Sequence, residues 1–543
     1  MPVADNPKAR HFFETLDYII AFCPLVDYTL LGKNYQNIII VIFKCNDYRT
    51  ERLNLIMITV GIDIGTSAVK LLAMDEAGKV LRTVSREYPL YMYDDGRSEQ
   101  DPADWWNQTA DGLKELCAGL GKIEAVSFSG QMHGLVALDE NDNVLRRAIL
   151  WNDQRTQSQC DYLNSTIGKE ILLDNVANVA LTGFTAPKIL WVKEHEPEIF
   201  AKIKKIMLPK DYIAYKLSGV FATDYSDASG MLLLDVKNQD WSDRLLEIVG
   251  VTREQLPKLF YSYESIGTIT EEASKETGLP TSAKVVIGGG DQAVGAIGSG
   301  IVSGGMCSVS LGTSGVLFVA ADNFAVDKSP AAIHAFCHST GRYHFMGVTL
   351  AAAGSNKWWV EEILNTSDYA EEQKDINKVG TNPVFFLPYL SGERTPHNDP
   401  SARGAFVGMS MTTTRADMTL AVLEGVTFSL RDILVRIREL GATVDTARII
   451  GGGAKSPLWC QLVADILQLK VEKIQSSEGP AFGAAILAMV GAGAFKNVEE
   501  ACSKLIAITE TFTPCEDTAK AYDSRYPIYA GLYSALKDTF KVI

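Results

Sequence analysis

The alternation of apolar and polar positions changes character at Met57. From there the pattern reads strand, corner, strand: Ile58 to Ile64, a Gly65-Thr66-Ser67 corner, then Val69 to Met74. The polar turn Asp75-Glu76-Ala77-Gly78 leads into a returning strand at Lys79-Val80-Leu81. Asp101-Pro102 supplies an N-cap and an N1 proline, and Trp105, Thr109, Leu113 and Leu116 follow at helical spacing, which predicts a helix ending near Gly119. A strand over Ile123 to Phe128 delivers the tight loop Gly130-Gln131-Met132-His133-Gly134, and another strand begins at Leu135. Strands alternating with helices predict an α/β sheet.

The corner recurs. Ile64-Gly65-Thr66-Ser67-Ala68-Val69 is echoed by Leu311-Gly312-Thr313-Ser314-Gly315-Val316, each following one strand and entering another, which suggests two related domains presenting similar turns to one ligand. In the second half, Thr414 with Asp417 resembles a capping box, and Leu420, Leu423, Leu430, Leu434 and Ile437 form an apolar stripe closed by Gly441. Ala447 to Ile450 reads as a strand running into Gly451-Gly452-Gly453, after which Ser456-Pro457 starts a helix through Leu458, Leu462 and Ile466. Gly479-Pro480-Ala481-Phe482-Gly483-Ala484-Ala485 opens a helix of small residues, read as close packing in preference to room for a flat ligand. Gly295, Gly298 and Gly300 are likewise read as close helix packing.

Composition bounds the function. The chain has 543 residues, 47% hydrophobic and 22% charged, which is globular and long enough for two domains around a cleft. A net charge of -15 argues against nucleic acid as a partner, because phosphate-backbone binding needs clustered Lys and Arg. Nine scattered cysteines without a C-x-x-C pair suggest reduced, mostly buried thiols. The apolar runs Tyr18 to Val26 and Ile38 to Phe43 are too short to span a bilayer. No secretory signal stands out, so the expected setting is cytoplasmic. Residues 1–56 are read as an extension outside the functional fold, with Met57 as its start.

Several residues could carry chemistry. Gly65-Thr66-Ser67 and Gly312-Thr313-Ser314-Gly315 could turn backbone N–H groups and hydroxyls toward phosphates, although each alone suits a structural hairpin. No G-x-x-x-x-G-K-[ST] motif is present, so a nucleotide would be held otherwise than by a P-loop. Asp63 places a carboxylate on a strand that reads as buried, which a hydrated Mg²⁺ or local N–H donors would compensate. Asp291 follows the strand Val285 to Gly290 at the mouth of an Ala- and Gly-rich helix, where it could act as a general base or serve as an N-cap. Gly288, Gly290 and Ala293 match a permissive dinucleotide spacing, but Asp291 would oppose the pyrophosphate, which disfavours a dehydrogenase. His133 suits either a polyol contact, with Met132 packing on carbon, or a local backbone bond.

These residues resemble the FGGY carbohydrate kinases of the actin and hexokinase superfamily. Gly183-Phe184-Thr185-Ala186-Pro187-Lys188-Ile189-Leu190-Trp191-Val192-Lys193-Glu194-His195 is similar to one family signature. Gly404 to Met409, Asp417-Met418 and Ala421 to Glu424 are similar to the other. Gln131 to Gly134, Trp151 to Arg155 and Ser391 to Asn398 look like the branch that acts on D-xylulose. The resemblance implies two ribonuclease-H-like domains around a central cleft, a sugar-binding one over 57–301 and a nucleotide-binding one over 302–543. It implies transfer of the ATP γ-phosphoryl group to D-xylulose in pentose catabolism, with Mg²⁺. Kinases of ribulose, gluconate or another polyol, and an actin-like or chaperone-like ATPase, are the alternatives, and a homodimer is left open. Asp291 would be the base and Asp63 would organise Mg²⁺ through water. Gln131, Met132, His133, Asp291 and Gln292 would meet the sugar. Gly65, Thr66, Ser67, Gly312, Thr313, Trp358, Gly452, Gly453 and Ala454 would meet ATP.

Overall fold

The computed structural model describes residues 57–329, 333–475 and 478–543. Both apolar runs before Met57 lie outside the described residues. Among those described, no helix is long and apolar enough to cross a membrane.

The first sheet contains β1 (Ile58–Ile64), β2 (Ala68–Asp75), β3 (Val80–Glu87), β4 (Ile123–Gly130), β5 (Ser265–Thr268) and β6 (Lys284–Gly290), in the spatial order β5-β6-β4-β1-β2-β3. β1, β2 and β3 form an antiparallel meander, β4 and β6 run parallel to β1, and β5 closes the edge antiparallel. The second sheet contains β7 (Gly305–Leu311), β8 (Gly315–Ala321), β9 (His334–Cys337), β10 (Tyr343–Thr349), β11 (Val444–Ile450), β12 (Lys470–Ile474) and β13 (Ile508–Phe512). Its order is β9-β10-β8-β7-β11-β12-β13. β7, β8 and β10 repeat the meander, β11 and β12 the parallel pair, and β13 the antiparallel edge, with β9 added outside β10. The two glycine corners therefore sit at the same place in two copies of one topology.

Local signals account for the helices. α1 (Pro102–Cys117) is capped by the Asp101 carboxylate, which accepts from Ala103 N at 2.9 Å, and it packs on β2 and β3. α2 (Pro209–Ser218), the short α3 (Tyr225–Ser229) and α4 (Asp291–Gly298) belong to the first half. α5 (Arg415–Glu439) begins with a capping box in which Thr414 Oγ1 accepts from Asp417 N at 3.2 Å and Asp417 Oδ2 accepts from Thr414 N at 3.0 Å. Its leucine stripe is buried. Ser456 caps α6 (Pro457–Leu467) by accepting from Trp459 N at 3.1 Å. All seven described cysteines are free, and five of them are buried.

The helix of small residues, α7 (Gly479–Ala492), falls in sequence between β12 and β13 of the second sheet but lies on the first, against β1, β4, β6 and α4. Glycines make the contact possible. A Cβ on Gly61 would stand 1.9 Å from Ala481 O, one on Gly483 would stand 2.0 Å from Val294 O, and one on Gly298 would stand 2.3 Å from Gly479 O. Close packing is thus the reason for the small residues. Gly300 has a second need besides close contact: its φ of +70° turns the chain out of α4, and a Cβ there would also stand 1.8 Å from Arg448 Nη1. Gly295 differs from the expectation, since a Cβ there would come no nearer than 3.5 Å, to Pro480 Cγ. The strand expected from Leu135 is short, Val136–Leu138, with Leu135 only bridging to Ile149.

Gly483→Ala should lower the apparent melting temperature by several degrees in a thermal scan, since backbone has to move to admit the methyl group. Gly531→Ala, where nothing lies within 4 Å of the new Cβ, is the control and should not.

Candidate active site

Register brings the first set of residues together. Ile64 of β1 and Gly290 of β6 both pair with Gly130 of β4, so three parallel strands end on one line. Asp63 precedes that line, Gln131 continues it, and Asp291 starts α4 beyond it.

Asp63 is half-buried on an otherwise buried strand. Burial pushes its carboxyl up, while the Ser129 hydroxyl and the Lys70 ammonium pull it back. Its Oδ1 is buried without a hydrogen-bond partner among the described residues. Asp291 is the first helical residue, and Gly290 takes the N-cap position, so the N-cap reading of Asp291 does not hold. Burial, then the field of the Asp63 carboxylate, pushes the Asp291 carboxyl up to about 7 against the opposing Gln292 hydrogen bonds.

The loop after β4 is held from several sides. Gln131 N donates to Ile64 O at 2.8 Å. The Gln131 side chain is 2% exposed, donates to Gln100 Oε1 at 2.9 Å and Gly65 O at 3.3 Å, and accepts from Thr66 Oγ1 at 3.3 Å. It fastens the first corner to the loop. Met132 is buried and packs where a Cβ on Gly290 would stand, 2.9 Å from its Cγ. His133 has a φ of 70°, a left-handed conformation that is costly for a residue with a Cβ. Its carbonyl accepts from Lys188 Nζ at 2.7 Å and Thr185 Oγ1 at 3.0 Å, which fixes the strained residue. Nδ1 stands 2.7 Å from Gly230 O. A carbonyl only accepts, so Nδ1 carries the hydrogen and Nε2 keeps its lone pair. Burial pushes the imidazole down to about 3, so it is neutral at physiological pH. Lys188 had been visible only as one letter of a family signature; it is fully buried, and burial lowers its ammonium to about 7.

The first corner lies beside this loop. Tyr88 donates to Gly65 O, Trp151 Nε1 donates to Thr66 Oγ1 at 3.0 Å, and Ser67 is exposed. Gly65, Thr66 and Ser67 line neither of the two cavities that follow.

One cavity, of about 900 Å³, is walled by Gly312, Thr313, Trp358, Gly452 and Gly453, together with Asn356, Tyr369 and Gln373. Trp358 is braced by stacking on Phe386 at 6.3 Å between ring centres, and Asn356 Oδ1 is buried without a partner. The second cavity, of about 660 Å³, is walled by Asp291 and Gln292 on one side and by Ile450, Gly452 and Ala454 on the other. Gly452 and Lys455 belong to both walls, so the two spaces adjoin there. Lys455 and Lys473, which sequence reasoning passed over, line the Asp291 cavity; Lys473 is paired with Glu510 at 2.8 Å, so Lys455 is the one of the two that brings positive charge to it. The adjacency of Lys455 to the triglycine loop was the available signal. The positions thus separate into a carboxylate end and a wide end bordered by Trp358, joined at a glycine loop. That arrangement suits a nucleotide whose polyphosphate points toward Asp291.

Comparison with known proteins agrees with this geometry. Residues 58–298 match the model of the N-terminal domain of the FGGY family of carbohydrate kinases, and residues 307–492 match its C-terminal domain. A xylulose kinase of Bacillus subtilis (strain 168) is 41% identical over 486 residues, which cover 88% of this chain and 97% of that one. A ligand-bound xylulose kinase from Lactobacillus acidophilus superposes with a TM-score of 0.84 at 26% identity, covering 89% and 99% of the two chains. A gluconate kinase from the same organism reaches 0.83 at 27%, covering 90% and 99%. The two family domains, matched in order over most of the chain and built on the repeated topology above, place it: this chain belongs to the FGGY family of carbohydrate kinases, and it is a sugar kinase with ATP as co-substrate.

Proposed function

We propose that the chain transfers the γ-phosphoryl group of ATP to the terminal hydroxyl of D-xylulose, giving D-xylulose 5-phosphate and ADP. The observation that carries this reading is Asp291, a carboxyl of raised proton affinity at the wall of a cavity that adjoins the wide Trp358 cavity. The choice of sugar rests on the Bacillus subtilis relative and others of the same name. A gluconate kinase with nearly the same superposition shows that fold alone does not select the sugar.

In this reading the hydroxyl oxygen attacks the γ-phosphorus while its proton passes to an Asp291 carboxylate oxygen, and the bond to the β-phosphate oxygen breaks. His133 Nε2 accepts a hydrogen bond from a sugar hydroxyl, Met132 borders the carbon skeleton, and Gln292, which is exposed, contributes its amide. Gln131 acts from behind, through the corner it fastens. Gly312, Thr313 and Gly453 offer backbone groups to the nucleotide, and Lys455 faces its phosphates. Asp63 fits a magnesium site, since a hard oxygen donor stands there with a buried, unpartnered Oδ1. Magnesium bound there, through water, would neutralise phosphate oxygens. A cytoplasmic setting belongs to the same reading, and a homodimer stays open in it.

Asp291→Ala should lower kcat at least about 100-fold while ATP affinity stays near that of the parent, measured by steady-state kinetics and nucleotide titration. An active alanine variant would sink the base assignment. The carboxylate is the competent form, so kcat/KM for the sugar should rise with pH through about 7 and level off above it, as initial rates across that interval will show.

A coupled ADP-release assay with Mg²⁺, ATP and D-xylulose, D- and L-ribulose, glycerol or gluconate tests the substrate, with a no-sugar control. D-xylulose should give the highest kcat/KM, and turnover without sugar should be slow, because sugar completes the site. A higher value for another polyol replaces the sugar; equal turnover without any sugar removes the kinase reading.

A further inference from the structure

We propose that Ser226 and Lys210 are positioning residues for Asp291, acting through a buried chain of contacts from Lys210 to Asp224, Ser226 and Gly290. The inference rests on Asp291 being the base.

Lys210 lies at the start of α2 with its side chain wholly buried. Its Nζ stands 2.6 Å from Asp211 Oδ1, 3.0 Å from Asp224 Oδ1 and 3.8 Å from Asp227 Oδ2, and all three carboxylates are wholly buried as well. Such a cluster is weak evidence for stability, because desolvation offsets the attraction. What it touches is more informative.

Asp224 Oδ2 accepts from Ser226 N at 2.8 Å, from Ser226 Oγ at 2.5 Å and from Ser262 Oγ at 2.7 Å. A carboxylate held by an ammonium only accepts, so the Ser226 hydroxyl hydrogen points at it. The lone pairs of Ser226 Oγ are left to receive Gly290 N at 3.2 Å. Gly290 is the residue before Asp291. With an ammonium at one end and a backbone N–H at the other, both only able to donate, every hydrogen in the chain has one direction.

The strand end is clamped from both sides. A Cβ on Gly289 would stand 2.5 Å from Ser226 Oγ and 3.1 Å from Asp224 Oδ2, and one on Gly290 would meet Met132 Cγ at 2.9 Å. The stem of Lys210 supports the other loop, since a Cβ on Gly130 would stand 2.9 Å from Lys210 Cβ. One lysine thus underlies both the base and the loop that carries Met132 and His133. Asp227, whose two oxygens are buried without hydrogen-bond partners, lies close enough to feel the Asp291 charge.

The test is a double-mutant cycle on the full chain, with ADP release read against sugar and ATP concentration. Ser226→Ala should lower kcat about tenfold or more with KM for ATP within about twofold, because misplacement of the base alone is lost. In the Asp291→Ala background the same change should alter the residual rate by less than about twofold. Ser262→Ala, which removes a donor to the same Asp224 oxygen without touching Gly290 through its side chain, should stay near parental kcat. Lys210→Met combined with Ser226→Ala should cost no more than Lys210→Met alone. A variant that no longer melts cooperatively is replaced by Ser226→Cys, which keeps the volume and loses the strong acceptor. Parental kcat in the serine variant, or an equal loss in both backgrounds, overturns the proposal. An active Asp291→Ala variant instead overturns the base assignment, and absence of any sugar-dependent turnover in the parent overturns the kinase reading.

Discussion

Strand register brings two carboxylates, Asp63 and Asp291, near enough for the charge of one to raise the other, and the site is built on that pairing. Asp63 and Asp291 both have elevated proton affinity through burial, and Asp291 is raised further by its neighbour. Like charges this close in a poorly solvated place are unfavourable unless one takes a proton or a cation arrives. In the proposed reading the first response serves the base and the second a metal. The same unfavourable pairing therefore suits both halves of phosphoryl transfer. It persists because strand register and the packing of α7 leave the two residues nowhere else to go.

The second half supplies a different kind of recognition. The wide cavity is bordered by turns and an aromatic face, with Gly312, Gly452 and Gly453 bringing backbone close to its space. Charge enters at Lys455, near the junction with the carboxylates, while the neighbouring Lys473 is paired with Glu510. A chain with a net charge of -15 can hold a polyphosphate in this way, because local donors and a nearby ammonium act over a few ångströms while the bulk charge is screened. The repeated topology explains why the glycine corners recur, although only the second of them lines the wide cavity.

Features set by neighbours in sequence were legible beforehand. Asp101, Thr414 and Ser456 cap helices where their spacing places them, since a cap depends on three or four consecutive residues. The repeated corner was legible for the same reason. Features set by distant partners were not. Nothing near Gln131 reveals that its amide is already committed to Gln100 and Gly65, and nothing near Lys210 announces Asp224 and Ser226. Gly295 was misread because a glycine crowded by its neighbours and one with ordinary contacts look alike in a string of letters.

The placement of α7 bears on how the chain is made. β6 ends at Gly290, yet the helix that covers β1, β4 and β6 begins at Gly479. At ordinary rates of synthesis the roughly 190 intervening residues take ~10–40 s to emerge. Throughout that interval the first sheet has all its strands but lacks the cover for one face, where Gly61 presents bare backbone. The first half of this protein is thus made early and finished late.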